Sequence, residues 1–231
     1  MLTALFATAV IAALLVHFVI VELPKRREAR SGPSAPEAVP VSEAVDGLPG
    51  GVFLQTTFTW TRLRDNGEVF LGLHPMLLSL IGGPLEWDLL PDGQEVKKGE
   101  PLLVLRQGER EFQVYSPLDG RVVEANEEID PVRGWSGMAE RRGTWIYRIR
   151  PVKAEDEVPR WLLGSRAAEW TRHQYRQIRD YLVRILPDEG TGVAAADGGE
   201  LPAGVLSQVD DAAWESFQTW FLPPSGVEAE R

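Results

Sequence analysis

The residues whose types and spacing could do chemistry gather in one stretch, Gly99 to Gly120, which reads GEPLLVLRQGEREFQVYSPLDG. Two apolar arms, Pro101–Leu105 and Phe112–Tyr115, flank Gln107-Gly108-Glu109-Arg110, so the pattern predicts a β-hairpin with a charged tip. Arg106, Glu109, Arg110 and Glu111 are the side chains such a tip displays, and a tip on rigid strands suits a group that must reach another protein. Lys97 and Lys98 stand in the preceding turn as the nearest nucleophilic amines.

Elsewhere the chemistry thins out. The histidines, His17, His74 and His173, have no spacing that suits a metal or a catalytic triad. His74, ahead of Pro75, reads as a turn residue. Gly82-Gly83 is followed by Pro84 and a strand pattern, not a helix, so it fails as a phosphate loop. Glu127-Glu128 and Asp210-Asp211 are sequence neighbours in solvated turns. With no cysteine in the chain, disulfides, thiolate metal sites and a catalytic thiol are excluded. The expectation is therefore a chain without catalytic residues, metal ligands or enzymatic activity, acting as a binding subunit.

The elements that must hold the tip are short strands. The folded body is expected to start near Phe53. Thr56–Leu63, the turn Asp65-Asn66-Gly67 and Val69–Leu73 predict a first hairpin. Pro75–Leu80 reads as a helical turn closed by Gly82-Gly83-Pro84. Leu85–Leu90, Val122–Ala125 and Thr144–Arg150 read as further strands. Pro159–Leu186 changes to helical spacing, with Ile178, Tyr181, Leu182 and Ile185 on one face and Arg160, Arg166, Arg172, Arg176, Arg179 and Arg184 on the other. That basic face suits anionic lipid, an acidic partner, or a solvated face whose arginines pair with the chain's own acidic body. Thr191–Glu200 is a Gly/Ala/Asp linker. After it Trp214, Phe217, Trp220, Phe221 and Leu222 form a short amphipathic segment whose aromatic rings need a partner, either the chain's own barrel or another subunit.

At the other end, residues 2–21 carry no formal charge and are nearly all Leu, Ala, Val, Ile or Phe. That is the length needed to span about 30 Å of hydrocarbon. The stretch has no basic flank before it and no small-x-small cleavage site after it, so it is predicted to be a transmembrane helix and not a signal peptide. Lys25, Arg26, Arg27 and Arg30 follow directly, which places the body on the cytoplasmic side and the amino terminus outside. His17 is expected to sit at the membrane interface. Residues 31–52, rich in Pro and Ser, are expected to act as a tether that buries no core. The chain of 231 residues has a net charge of −10. Four basic against two acidic side chains before Ser31 leave the remainder at −12. Such a body repels phosphate backbones, so a nucleic-acid partner is not expected.

The succession Thr59-Trp60, Val69-Phe70-Leu71-Gly72, Leu90-Pro91, Lys98-Gly99-Glu100-Pro101, Tyr115-Ser116-Pro117, Val122-Val123-Glu124, Trp145-Ile146 and Ile149-Arg150-Pro151 resembles the glycine cleavage system H-protein family of the lipoyl/biotinyl superfamily. The likeness runs from Thr57 to Pro151. It implies a mainly β fold, a lipoyl-type barrel or sandwich with a C-terminal amphipathic helix, here preceded by one transmembrane helix. It also implies a lysine at the hairpin tip that carries lipoate on a swinging arm. With the spacing between Gly99 and Ser116 unchanged, that position falls on Glu109, which cannot form the amide.

The resulting organisation is a membrane helix (1–23), a basic and Pro/Ser-rich linker (24–52), an H-protein-like domain (53–158), an amphipathic helix (159–187) and a linker with an aromatic end (188–231). The expected function is a non-lipoylated scaffold or adaptor at the inner membrane, without lipoate or other cofactor. Its expected protein contacts are Arg106, Glu109, Arg110, Glu111, Trp214, Trp220 and Phe221. Two alternatives stand beside it: a carrier modified at Lys97 or Lys98, and a membrane-fusion-type adaptor.

Overall fold

A computed structural model of the chain describes residues 41–129, 135, 144–186 and 200–222. The predicted membrane helix with His17, the basic flank, and most of the Gly/Ala/Asp linker lie outside these residues. Among the described residues, no helix is long and apolar enough to cross a membrane.

Among the described residues, nine strands form two sheets. They are β1 (Phe53–Gln55), β2 (Thr59–Leu63), β3 (Val69–Leu73), β4 (Glu86–Leu89), β5 (Glu95–Val96), β6 (Pro101–Gln107), β7 (Arg110–Tyr115), β8 (Gly120–Ala125) and β9 (Tyr147–Pro151). The larger sheet runs β1-β2-β3-β9-β8-β5 and the smaller β4-β6-β7. All named pairings are antiparallel, as expected for strands joined by tight turns. Alternation along the strands decides what faces the core. In β9, Tyr147 and Ile149 are buried while Arg148 and Arg150 point outward to Glu68. Glu68 is itself only 2% exposed, and the hydrogen bond from Arg150 leads in holding its carboxyl below the usual range.

Tyr147 also joins the two sheets. From β9 its hydroxyl donates to the Leu102 carbonyl of β6 at 2.9 Å and accepts the Leu90 N–H at 2.8 Å. Burial pushes this phenol up to about 12. Both hydrogen bonds to the neutral form are therefore kept across the accessible pH range.

Among the described residues there are four α-helices. α1 (Pro75–Ile81) is buried along its whole length, with Pro75 in its first turn. α2 (Ala154–Glu157) leads into a single 3₁₀ turn, Val158–Arg160. α3 (Ser165–Ile185) buries Ala167, Thr171, Ile178 and Leu182. α4 (Asp211–Phe221) buries Trp214, Phe217 and Phe221.

Two expectations are corrected here. The long helix begins at Ser165, not Pro159, because Leu162 pairs as an extended residue with Leu54 of β1. The two exchange N–H···O bonds of 2.8 and 2.9 Å. Nor does the whole of 31–52 lack a core: Val41, Ala44, Val45 and Val52 are buried. The 3₁₀ turn Val41–Ala44 packs on α1, and the Val41 N–H reaches the Leu201 carbonyl at 3.3 Å. Residues 200–222 belong to the same apolar core as the strands, through Leu201, Val205, Leu206, Val209 and the α4 aromatics.

Candidate functional site

The hairpin tip is built by β6 and β7. Leu103 faces Val114 and Leu105 faces Phe112 across the ladder, all four turned into the core. Arg106 and Glu111 form the pair on the outer side, at 2.7 Å, and Arg106 also holds Asp88 of β4 at 3.1 Å. These two carboxylates, Glu111 first, raise the Arg106 guanidinium further. Gln107 and Arg110 close the ladder, leaving Gly108 and Glu109 as a two-residue turn. Gly108 has φ +63°, a left-handed value at the first central position that defines a primed turn matching the strand twist. Glu109 is exposed and makes no ion pair among the described residues.

The tip does not stand free. Arg110 donates from Nε to Asp211 Oδ1 at 3.0 Å, and from its two Nη atoms to the carbonyls of Val209 at 2.8 Å and Leu206 at 3.5 Å. Trp214 stacks on Phe112 with ring centroids 4.0 Å apart, and its indole N–H donates to the Glu111 carbonyl at 3.0 Å. The Arg110 guanidinium lies 5.2 Å from the centre of that same indole ring. Along β7, the Gln218 amide bonds both main-chain groups of Gln113: its Oε1 accepts the N–H at 3.0 Å and its Nε2 donates to the carbonyl at 2.9 Å. β7 is the edge of its sheet, so a helix side chain here completes the unpaired edge as another strand would. Asp210 anchors the start of α4 by accepting the Ala213 N–H at 2.8 Å.

The seven predicted contact residues thus divide. Arg106, Glu109, Arg110 and Glu111 stand together at the tip. Trp214 (4% exposed) and Phe221 (7%) pack inside this chain, Trp214 on Phe112 of β7 and Phe221 on Tyr181 of α3, so the chain itself supplies the partners their rings required. Trp220 remains open at 59% and lines a groove with Ile185 and Arg184 at the far ends of α3 and α4. A hollow beside the tip is walled by Glu109, Glu111, Asp211 and Glu215, together with Arg110 and Trp214. Two arginines, Arg106 and Arg110, answer these four carboxylates, so the surface is acidic.

The lysines lie elsewhere. Lys98 Nζ is held by Glu157 at 2.8 Å and its main-chain N–H by Asp119 at 2.7 Å. Both Lys97 and Lys98 precede β6, whose seven residues separate them from the tip by roughly 20 Å.

The C-terminal cap is seated through a close backbone approach. Gly82 has φ +67°, and a Cβ there would collide with the Gly204 main chain. The Gly204 N–H donates to the Ser79 carbonyl at 2.8 Å. Gly82→Ala is therefore expected to cost about 2 kcal/mol through strain and overpacking, with the loss read as a lower midpoint in urea unfolding of the full chain.

Two residues that the sequence places in turns are helix caps in the structure. His74 is a buried helix cap: its Nδ1 accepts the Met76 N–H at 3.1 Å, which leaves the proton on Nε2, 3.3 Å from Thr171 Oγ1 of α3. Asp210, similarly, is a helix cap rather than a free turn residue. The available signal was an Asx or His directly before an apolar helical run.

Two antiparallel sheets, stitched by Tyr147 and presenting a charged hairpin tip, define a lipoyl/biotinyl-type domain. The chain belongs to the glycine cleavage H-protein family, whose pattern matches residues 53–175, just over half of its length. It is similar to the probable glycine cleavage system H protein of Pyrococcus abyssi, at 28% identity over 53% of this chain and 90% of that protein. It is also similar to the glycine cleavage system H protein of Stenotrophomonas maltophilia, at 30% identity over 47% of this chain and 83% of that one. A solved glycine cleavage system H protein from Mycobacterium marinum covers 54% of this chain and 99% of its own, with a TM-score of 0.43 and 20% identity. The cap formed by residues 200–222 lies beyond the matched 53–175.

Proposed function

We propose that this chain is a non-lipoylated adaptor, tethered to the cytoplasmic face of the inner membrane through residues 2–21, whose H-protein-like domain docks partner proteins. The observation that carries the reading is the clamped tip. A swinging arm needs a tip lysine with room around it; here the two turn residues are Gly108 and Glu109, and Arg110, beside them, is fastened to the chain's own C-terminal segment. Glu109 occupies the place that the resemblance assigns to the lipoyl lysine. What the tip offers instead is recognition by charge. Glu109, Glu111, Asp211 and Glu215 make a surface suited to a partner segment rich in Lys or Arg.

Carriage of lipoate on Lys97 or Lys98 is the competing reading, and the Lys98–Glu157 ion pair and the distance from the tip weigh against it. Purification of the full chain from membranes in mild detergent tests both. We expect an intact mass equal to the unmodified sequence even under lipoate-replete growth, with a co-purifying basic protein that is lost in Glu109→Gln/Glu215→Gln. A mass increase of one lipoyl group would establish the carrier instead, and recovery of the bare protein alone would weaken the adaptor.

A further inference from the structure

At the opposite end of the hairpin a small pocket of ≈ 150 Å³ opens between the end of β1 and the segment 160–162. Its wall includes Thr56, Lys98, Pro117, Arg160 and Trp161, two cations and no carboxylate, which is unusual in a chain of net charge −10. Trp161 is 5% exposed, and its indole Nε1 is the single buried side-chain polar atom without a hydrogen-bond partner among the described residues. A buried donor left without an acceptor is costly, so such an atom marks a place where an acceptor is missing.

The neighbouring groups do not supply that acceptor. Gln55 also lines the pocket, but its amide is committed on both sides, donating to Thr61 Oγ1 at 2.7 Å and accepting from Thr59 Oγ1 at 3.1 Å. Glu157, outside the wall, faces Lys98 at 2.8 Å and Arg160 at 3.8 Å. Asp119 adds a second carboxylate, its Oδ1 accepting the Lys98 main-chain N–H at 2.7 Å, so the two cations are matched in charge. Arg160 is the looser partner and 68% exposed, free to turn toward a second anion.

We propose that this pocket binds a carboxylate, held by Arg160 and Lys98 and accepting the Trp161 indole N–H. With Glu157 and Asp119 already beside the two cations, a monoanion is favoured over a dianionic phosphate. The volume, about five times the liquid share of one water, admits a group of acetate size. The carboxylate comes either from a free small acid or from an acidic side chain of a bound polypeptide. The site is separate from the tip and independent of the adaptor reading.

Indole ¹⁵N–¹H resonances of the full chain in neutral detergent micelles test it, with the Trp161 signal assigned by Trp161→Phe. Titrants are sodium acetate, the peptide acetyl-Gly-Glu-Gly-amide and, at matched ionic strength, sodium chloride and phosphate. We expect a saturable downfield shift of the Trp161 N–H alone, with half-saturation raised at least tenfold in Arg160→Gln and in Lys98→Gln. Saturation at lower concentration by the Glu peptide marks a polypeptide source, and saturation at lower concentration by acetate marks a free acid. Either supports the site. The absence of a saturable shift, an equal response to chloride, or a stronger one to phosphate overturns it. Unchanged signals from the other indoles show that each variant has folded.

Discussion

Acidification from pH 6.5 toward 3 is expected to destabilise the folded chain by about 4 to 5 kcal/mol through His74 alone. The ring is fully buried, surrounded by Phe58, Trp135 and Trp170, and burial lowers its pKa from 6.5 to about 3. Between these values the unfolded chain carries a proton on this ring that the folded chain excludes. Each unit of acidification in that window therefore favours unfolding by up to about 1.4 kcal/mol, and the full stabilising contribution is present above pH 6.5. Geometry reinforces the charge penalty. Protonated imidazole has two donors and no acceptor, so the Met76 N–H would lose the cap at Nδ1 while Nε2 stays bound to Thr171, which itself donates to the Ala167 carbonyl at 2.9 Å. His74→Asn keeps an acceptor of cap type but leaves a cavity and removes the titration. Urea unfolding of both proteins from pH 7.5 to pH 4 is the measurement. The wild type should be the more stable at neutral pH, and its advantage should shrink steadily below pH 6.5. An advantage independent of pH would show that the ring does not titrate as described. Glu68, whose carboxyl is held low by Arg150 and Asn66 first, also loses stabilisation on acidification, but it does so equally in both proteins and cancels in the difference.

How much of this was legible in the sequence follows from how far apart the interacting residues lie. Turn chemistry is local, so Asp65-Asn66-Gly67 and the Gly108 tip were readable, and with them the hairpins β2–β3 and β6–β7. The alternation of Tyr147 and Ile149 with Arg148 and Arg150 likewise marked β9. What stayed hidden depends on residues distant in the chain. His74 is a cap by its position before Pro75, but its burial comes from Trp135 and Trp170, and its Nε2 partner Thr171 lies 97 residues later. Leu162 has helical neighbours on both sides and is extended because Leu54 offers it a ladder partner. Val41 and Val45 sit in a Pro/Ser-rich context that argues against a core, yet α1 provides them a surface. The candidate site divides in the same way. Glu109 and its neighbours were visible as a charged tip, while the cap over Arg110 joins residues about 100 positions apart: the aromatic pattern of 214–222 called for a partner without saying that Arg110 and Phe112 supply it.

That cap carries the second large effect, and Trp214→Ala is expected to lower stability by about 3 to 5 kcal/mol. The indole fills the space between Phe112 and the Arg110 guanidinium, and its N–H satisfies the Glu111 carbonyl. Truncation removes the stacked area, opens a cavity over Phe112 and leaves that carbonyl without its donor. The consequences spread along one edge. The Gln218 amide that closes β7 at Gln113 is positioned by the same helix, so loosening α4 uncovers the strand's N–H and carbonyl. Hydrogen exchange distinguishes this from uniform weakening: the Gln113 amide should lose protection by a larger factor than the amides of β3 and β9, whose pairing in the other sheet is untouched. Gln218→Ala isolates the edge term, since it removes the two main-chain contacts while Trp214 stays stacked. It should expose Gln113 with a loss of about 1 kcal/mol for the amide's hydrogen bonds. If Trp214→Ala left both the unfolding midpoint and the Gln113 exchange unchanged, the C-terminal helix would not be what holds the tip, and the contrast with a free swinging arm would lose its physical basis.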